Sequence, residues 1–587
     1  MKRFVLLLGC LWFALAPLLS AGEPSDAKLP QDSRLGPLRT LRDEYHPWTP
    51  PDSKDAWLKD AERLRRQVLV SQGLWPLPPK APLNAVIHGK IERDDYTIEK
   101  VFFEGRPGFY VTGNLYRPKH GDGKRPGVLC PHGHWRNGRF YDAGENAAKE
   151  QIAQGAESFP AAARSPLQAR MVHLARMGCV VFHYDMIGYA DSRQLPHREG
   201  FNDVEAALWM QNTMGLQTWS SIRALDFLLS LDDVDPERIG VTGASGGGTQ
   251  TFMLGAVDDR PDVAFPAVMV STNMQGGCVC ENAPYLRLGI NNIALAALFA
   301  PRPLAMSGAD DWTIDIESKG LPELRQVYAL YGRPSLVTAE AYPQFKHNYN
   351  QVAREMMSAW FKEHLKLPDD APVTERDFEP VEPQHLSVFD ADHPRPENAV
   401  TVESLRADLT ETAQKQFSEL LPKSKDGLAE YRRIVGGAAA VMLDDGVPRE
   451  GEDGGLEAEG QIVGTIKLGN TGDVRHHELW VRRKGSGEHV PATTLVPSKF
   501  KGTVVVWIDG AGRSHLFDES GEPTAAVRQL LDAGTAVASA DVFLTGDYLA
   551  DGREAKLKVD ETYSGYTFCY NRPVLSNRVR DILSVVG

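Results

Sequence analysis

The stretch Arg238-Ile239-Gly240-Val241-Thr242-Gly243-Ala244-Ser245-Gly246-Gly247-Gly248 decides the fold. Its first five residues are β-prone and follow the turn-forming run Asp233-Val234-Asp235-Pro236. Residues 249–254, just beyond it, suit a helix. Between strand and helix lies Gly-x-Ser-x-Gly, centred on Ser245. Strand, sharp turn and helix form the geometry that raises a serine hydroxyl clear of a sheet as a nucleophile. Ala244, Gly246 and Gly247 are small enough for the close approach such a turn needs. The N-terminus of the following helix favours negative charge beside that hydroxyl.

Working outward, strands and helices alternate. Strands are expected at 96–103, 109–116, 127–130, 179–184, 264–270, 303–306 and 335–339. Helices are expected at 56–72, 167–176, 220–231, 293–298 and 350–365. That order implies a mostly parallel, doubly wound sheet, and with the elbow it implies an α/β-hydrolase fold.

A serine hydroxyl needs a base, and the base needs an orienting carboxylate. In this fold the chain order is serine, acid, histidine. Downstream of Ser245, the apolar strand at 303–306 runs into Ser307-Gly308-Ala309-Asp310-Asp311-Trp312-Thr313. Asp310 and Asp311 both compete for the acid position. His347, in Phe345-Lys346-His347-Asn348-Tyr349-Asn350, lies in the loop before the closing helix and is the candidate base. The oxyanion hole takes one N–H from Gly246 and one from the loop His132-Gly133-His134-Trp135. His134 is the nominated donor there, with Trp135 as the alternative. The His132 and His134 side chains read as loop-shaping hydrogen-bonders rather than metal ligands.

At 587 residues the chain exceeds one core, and its 42% hydrophobic content is ordinary for globular units. The net charge of −14, with no basic cluster, argues against nucleic-acid binding. Lys2 and Arg3, the apolar run 4–19 and the small residues Ser20-Ala21-Gly22 read as a cleavable signal peptide over 1–22. Export to the periplasm or the extracellular space is expected, with no stable membrane span after cleavage. Cys130 and Cys179 sit in apolar runs and read as buried thiols. Cys278-Val279-Cys280 reads as loop cysteines, or as one half of a disulfide to elsewhere, because no further Cys or His stands nearby at zinc spacing. No metal and no organic cofactor are expected.

Five segments follow: a signal peptide at 1–22, an N-terminal extension at 23–90, a catalytic domain at 91–366, a proline-rich connector at 367–400, and a second unit at 401–587. Within the second unit, 460–497 alternates apolar and polar residues as antiparallel strands do. Gly502 to Gly510 parallels Gly127 to Gly133, and Leu531 to Val537 parallels Leu174 to Val180. No second nucleophile elbow follows, so the unit is expected to be an incomplete hydrolase-like copy.

The motifs HGHWRNGR, HYDMIGYADS, GASGGGTQT, GGCVCENAP, APRPLAMSGADDWT and FKHNYN together resemble the acetyl-xylan-esterase-like α/β-hydrolases. These are secreted bacterial relatives of carbohydrate esterases of the cephalosporin-C deacetylase type. The resemblance spans roughly residues 40–366. It implies a Ser245–Asp311–His347 triad, since the family pattern sets the acid directly before Trp-Thr. It also implies a serine esterase that removes acetyl or other small acyl groups from carbohydrate. Trp135, Trp219, Trp312 and Tyr349 are candidate sugar-stacking residues, and Arg287 is a candidate partner for an acidic substituent. A prolyl-oligopeptidase-like peptidase and a glycan-binding protein with a relic site remain as alternatives. Against the first, the N-terminal region is too short for a β-propeller.

Overall fold

The structure is a computed structural model. It describes residues 32–587 except 44, 47, 120, 122, 444–454, 469–471 and 551. The expected signal peptide therefore lies outside the described residues. Among the described residues no helix is long and apolar enough to cross a membrane. The chain divides into two compact units. The larger comprises Arg39–Ala438 and Val559–Asn571, and the smaller comprises Met1–Leu38, Ala439–Lys558 and Arg572–Gly587.

The larger unit holds a nine-stranded sheet. Its strands are β1 (Val86–Glu92), β2 (Tyr96–Arg106), β3 (Phe109–Pro118), β4 (Arg125–Leu129), β5 (Val180–Tyr184), β6 (Val234–Ala244), β7 (Val263–Ala267), β8 (Leu304–Ala309) and β9 (Val337–Tyr342). Their order is β1-β2-β3-β5-β4-β6-β7-β8-β9. β1 pairs antiparallel with β2, β2 with β3, and β3 with β5. From β5 across to β9 every pairing is parallel. All residues of β5, β7 and β8 are buried, as strands covered on both faces must be. The fold is the α/β-hydrolase fold, as the alternation of elements implied.

Several elements differ from the sequence expectation for identifiable reasons. β1 begins inside the expected N-terminal extension and crosses its limit at residue 90. It is a half-exposed edge strand with an irregularity between His88 and Ile91, so its apolar alternation is weak. The helix expected at 220–231 begins earlier, as Thr213–Leu229. Asn212 caps it by accepting from the Gly215 N–H, which offsets the poor helix propensity of that glycine. The helix Val402–Leu420, assigned from sequence to the second domain, belongs to the larger unit. Its Leu405 is buried with Phe109, Ile187 and Phe201.

The smaller unit contains β10 (Leu456–Leu468), β11 (Gly472–Arg483), β12 (Glu488–Pro497), β13 (Val504–Val506) and β14 (Ala536–Ala540). Their order is β10-β11-β12-β14-β13. Only β13 and β14 pair parallel. Val474, Leu495, Leu516, Val527, Leu531 and Val537 form its core. Each unit pairs an aspartate just beyond a strand with an arginine. Asp541, just after β14, binds Arg513 at 3.3 Å, as Asp185, just after β5, binds Arg139 at 2.9 Å.

Candidate active site

Ser245 follows the last residue of β6 and precedes the helix Gly246–Val257. Its φ of 58° and ψ of −125° put a non-glycine residue in a strained conformation. The turn is held from two sides. The Ser245 N–H donates to the Ala267 carbonyl at the end of β7, at 3.2 Å, and the Thr249 N–H donates to the Ser245 carbonyl at 2.9 Å. The loop after β4 lies directly against it. A Cβ on Gly133 would stand 2.6 Å from the Ala244 carbonyl oxygen, and one on Gly247 would stand 2.5 Å from that of Pro131. Only glycine at those two positions lets the backbones approach so closely.

The Asp311–His347 pair sits at the same, C-terminal edge of the parallel strands. Asp311 follows β8, and His347 lies between β9 and the helix Gln351–His364. His347 Nδ1 and Asp311 Oδ2 are 2.6 Å apart. The other Asp311 oxygen accepts from the Thr313 N–H at 2.6 Å and from its hydroxyl at 2.5 Å. Asp311 is thus fixed, with 6% of its side chain exposed, while that of His347 is 31% exposed. The Trp312 ring lies 4.7 Å from the His347 ring. Asp310 points elsewhere: its carboxylate is 43% exposed and pairs with Lys346. His364 is the last residue of the helix and packs edge-on against Trp360, on a different element from the loop that carries His347.

The loop after β4 is shaped by its first histidine. His132 Nδ1 donates to the Gly133 carbonyl at 2.8 Å, and its Nε2 accepts from the Met186 N–H at 3.0 Å. These two bonds together assign the Nδ1–H tautomer. Arg139, itself buried, donates to Asp185 at 2.9 Å and binds Asp191. Burial would raise Asp185, but Arg139 holds it below the usual carboxylate range. The Trp135 N–H donates to the Gly133 carbonyl at 2.8 Å and is therefore engaged within the loop. His134 behaves differently from His132. Its ring borders the helix start, 3.1 Å from where a Cβ on Gly246 would stand.

Two expected substrate contacts are corrected by burial. Trp219 is 1% exposed, packs in the main core and donates its indole N–H to the Gly105 carbonyl at 2.9 Å. Arg287 is 2% exposed and donates to Asn292 at 2.9 Å and to the Glu281 carbonyl at 2.8 Å. Neither faces a substrate. Tyr349 is likewise buried, stacked on Phe265, with its hydroxyl bonded to Thr242 at 2.7 Å. Trp135 and Trp312 remain partly exposed.

The Cys-Val-Cys loop is the second departure. His134 Nε2 lies 3.2 Å from Cys280 Sγ, and His197 Nε2 lies 3.3 Å from Cys278 Sγ. The hydrogen bond from Cys280, with His134 and His197 adding to it, holds the Cys278 thiol far below its ordinary value. Burial opposes charge on His134, yet its bond to Cys278 raises it above the usual imidazole value. Sequence spacing did not expose this group because its members come from three separate segments. His197 carried no local signal that marked it, whereas the acid-fixing Thr313 lies in the Asp-Trp-Thr pattern that marked Asp311.

No protein-family model matches the chain. YtaP of Bacillus subtilis (strain 168), a hydrolase by name, is 28% identical over 286 residues, covering 46% of this chain and 89% of its own. Methylesterase BT1017 is 28% identical in sequence, with a TM-score of 0.50, over 63% of this chain and 78% of that one. Acetyl xylan esterase from Paenibacillus sp. R4 is similar at 18% identity and a TM-score of 0.31, over 55% of this chain and 98% of that one, too distant to bear on substrate. Sheet topology gives the larger unit the α/β-hydrolase fold, and the chain is similar to esterase-like α/β-hydrolases such as Methylesterase BT1017.

Proposed function

We propose that the chain is an exported serine esterase that cleaves small esters on carbohydrate. Ser245 Oγ attacks the ester carbonyl carbon, and His347 Nε2 takes the hydroxyl proton. Asp311 holds the Nδ1–H and balances the imidazolium that forms. The oxyanion is held by the N–H groups of Gly246 and His134. The alcohol leaves with the proton from His347, and water then cleaves the acyl-enzyme by the same base. His134 is favoured over Trp135 because the Trp135 N–H is already engaged by Gly133. Trp135 and Trp312 are the aromatic faces left for a sugar ring.

The observation that carries this reading is the 2.6 Å Asp311–His347 pair on the sheet edge that also presents the strained Ser245. The leader-like residues 1–22 favour a periplasmic or extracellular site of action. Removal of acetyl groups is the leading reaction. The likeness to Methylesterase BT1017 favours a second reading on the same machinery, hydrolysis of a sugar-acid methyl ester. The test is product release from acetylated and methyl-esterified polysaccharides by the full chain and by Ser245→Ala. Acetate release supports the first reading and methanol release the second. Peptide cleavage instead would point to the peptidase alternative. No turnover on any ester would leave a glycan-binding protein with a relic site and sink the proposal.

A further inference from the structure

We propose that His134, His197, Cys278 and Cys280 form a structural zinc site that anchors the loop carrying the oxyanion donor. Their ligand atoms, two imidazole nitrogens and two sulfurs, all lie within 4.8 Å of one another. A tetrahedral zinc ion with Zn–S of about 2.3 Å and Zn–N of about 2.0–2.1 Å has ligand-to-ligand edges of roughly 3.3–3.8 Å. The two N···S separations, 3.2 and 3.3 Å, are a few tenths of an ångström short of the N···S edge of about 3.5 Å that those bond lengths give. Closure onto an ion needs only small side-chain adjustments.

The surroundings are those of a metal ligand set. His197 Nδ1 donates to the Ile187 carbonyl at 2.7 Å, which leaves Nε2 unprotonated and aimed at Cys278. Such an outer hydrogen bond is what fixes the tautomer of a ligating histidine. Glu281 holds the Cys-Val-Cys loop by accepting from the Gly277 and Cys278 N–H groups at 2.9 and 3.0 Å. Cys278 and Cys280 are each 2% exposed, and Met186, Val279 and Tyr563 pack around them. Two thiolates and two neutral imidazoles around Zn²⁺ carry no net charge, which suits that apolar shell. Four protein ligands leave no open position, so the site is structural and supplies no chemistry to the ester.

Its effect on the reaction runs through His134, and this part rests on the oxyanion assignment above. The metal would hold the His134 ring on one side while its backbone N–H faces the turn at Ser245. His134 thereby ties the loop after β4 to residues 197 and 278–280.

The test is metal content of the full chain, purified with a reductant and exposed to zinc alone, then read by elemental analysis. The expectation is about one zinc per chain. Cobalt in its place should show the intense ligand-field bands of a tetrahedral site and sulfur-to-cobalt charge transfer. Both signals should vanish in Cys278→Ser. If that variant does not fold, the cobalt spectrum of the unaltered chain decides the ligand set. The proposal is overturned if the chain binds no zinc, or if mass analysis finds Cys278 and Cys280 joined as a disulfide. Zinc binding that persists in folded Cys278→Ser also overturns it, and would move attention to His88, Asp390 and His393, the other converging group among the described residues. None of these readouts depends on esterase turnover.

Discussion

Replacing Asp311 with asparagine tests the catalytic arrangement most sharply, because the structure dictates which way the new amide must face. Thr313 presents two donors to Oδ1, its N–H at 2.6 Å and its hydroxyl at 2.5 Å. The backbone N–H can only donate, so the asparagine carbonyl must take that side. The NH₂ group then lands where Oδ2 now sits, 2.6 Å from His347 Nδ1. There it donates, Nδ1 must accept, and the imidazole proton moves to Nε2. Nε2 then cannot take the Ser245 proton. Loss of the correct tautomer costs about 10⁴ in turnover, or about 5.4 kcal/mol of barrier. Asp310→Asn is the control. Its carboxylate is 43% exposed and its partner Lys346 is 85% exposed. A pair that open contributes at most about 1 kcal/mol, so the control should lose less than about fivefold. The assay is kcat/KM on a 4-nitrophenyl acyl ester, with circular dichroism to confirm folding. Asp311→Asn within tenfold of the unaltered chain, or an equal loss in Asp310→Asn, would refute the argument.

Other expectations follow from single contacts. Ser245→Ala should lower ester turnover by about 10⁴–10⁶ with the fold retained, and near-normal kcat in that variant would reject the nucleophile. Gly133→Ala places a Cβ 2.6 Å from the Ala244 carbonyl and should displace the oxyanion loop, lowering kcat by about 10²; an unchanged kcat would show that this loop supplies no donor. Burial lowers His46 to about 4 from 6.5. Across that window the unfolded chain binds a proton that the folded chain refuses, so stability present above pH 6.5 is lost as pH falls toward about 4, by up to about 3 kcal/mol. Urea melts at the two ends of the window should show a smaller difference in His46→Phe than in the unaltered chain, and an identical difference would rule His46 out. Tyr570→Ala removes a buried ring 5.0 Å from that of His46 and a 2.8 Å bond to Asn282, and should destabilise the larger unit by about 3 kcal/mol; a loss under about 0.5 kcal/mol in urea melts would contradict this.

What could be read from the sequence was whatever is written in a short, contiguous pattern. The elbow at 241–248 is local, and the strand-to-acid turn at 303–313 is local. The residues of each sit a few positions apart, so their geometry follows from one strand end or one turn. Trp219 and Arg287 misled because proximity to a motif in sequence is not proximity to solvent. Trp219 sits on the helix Thr213–Leu229, all but two of whose seventeen residues are buried. Arg287 has its charge met by carbonyls and amide oxygens inside the core. The Cys₂His₂ group was illegible for the opposite reason. His134 follows β4, His197 lies in the long excursion after β5, and the cysteines lie beyond β7. Only the parallel sheet, by gathering those three loops at its C-terminal edge, brings the four together.

The same logic explains why the domain limits were hard to place. A boundary read from composition assumes that the chain leaves a unit once, whereas this chain re-enters the larger one at Val559–Asn571. The returning segment is bound by backbone as well as side chains. The Tyr285 N–H donates to the Phe568 carbonyl at 2.7 Å, and the Arg287 N–H to that of Cys569 at 2.9 Å. The Tyr563 and Tyr570 hydroxyls both bond Asn282, at 3.1 and 2.8 Å. Asn282 in turn donates to the Cys278 carbonyl at 2.9 Å. The late segment therefore braces the Cys-Val-Cys loop from behind, while Glu281 fastens it from within. Its composition carried no sign of this, because tyrosines at 563, 566 and 570 read equally well as surface or as core. What selects burial is the pairing of the Tyr285 and Arg287 N–H groups with the Phe568 and Cys569 carbonyls, because buried backbone donors without such partners would cost free energy. The loop that carries two of the four converging side chains is fixed by that bracing, and the chain supplies it from some 280 residues away.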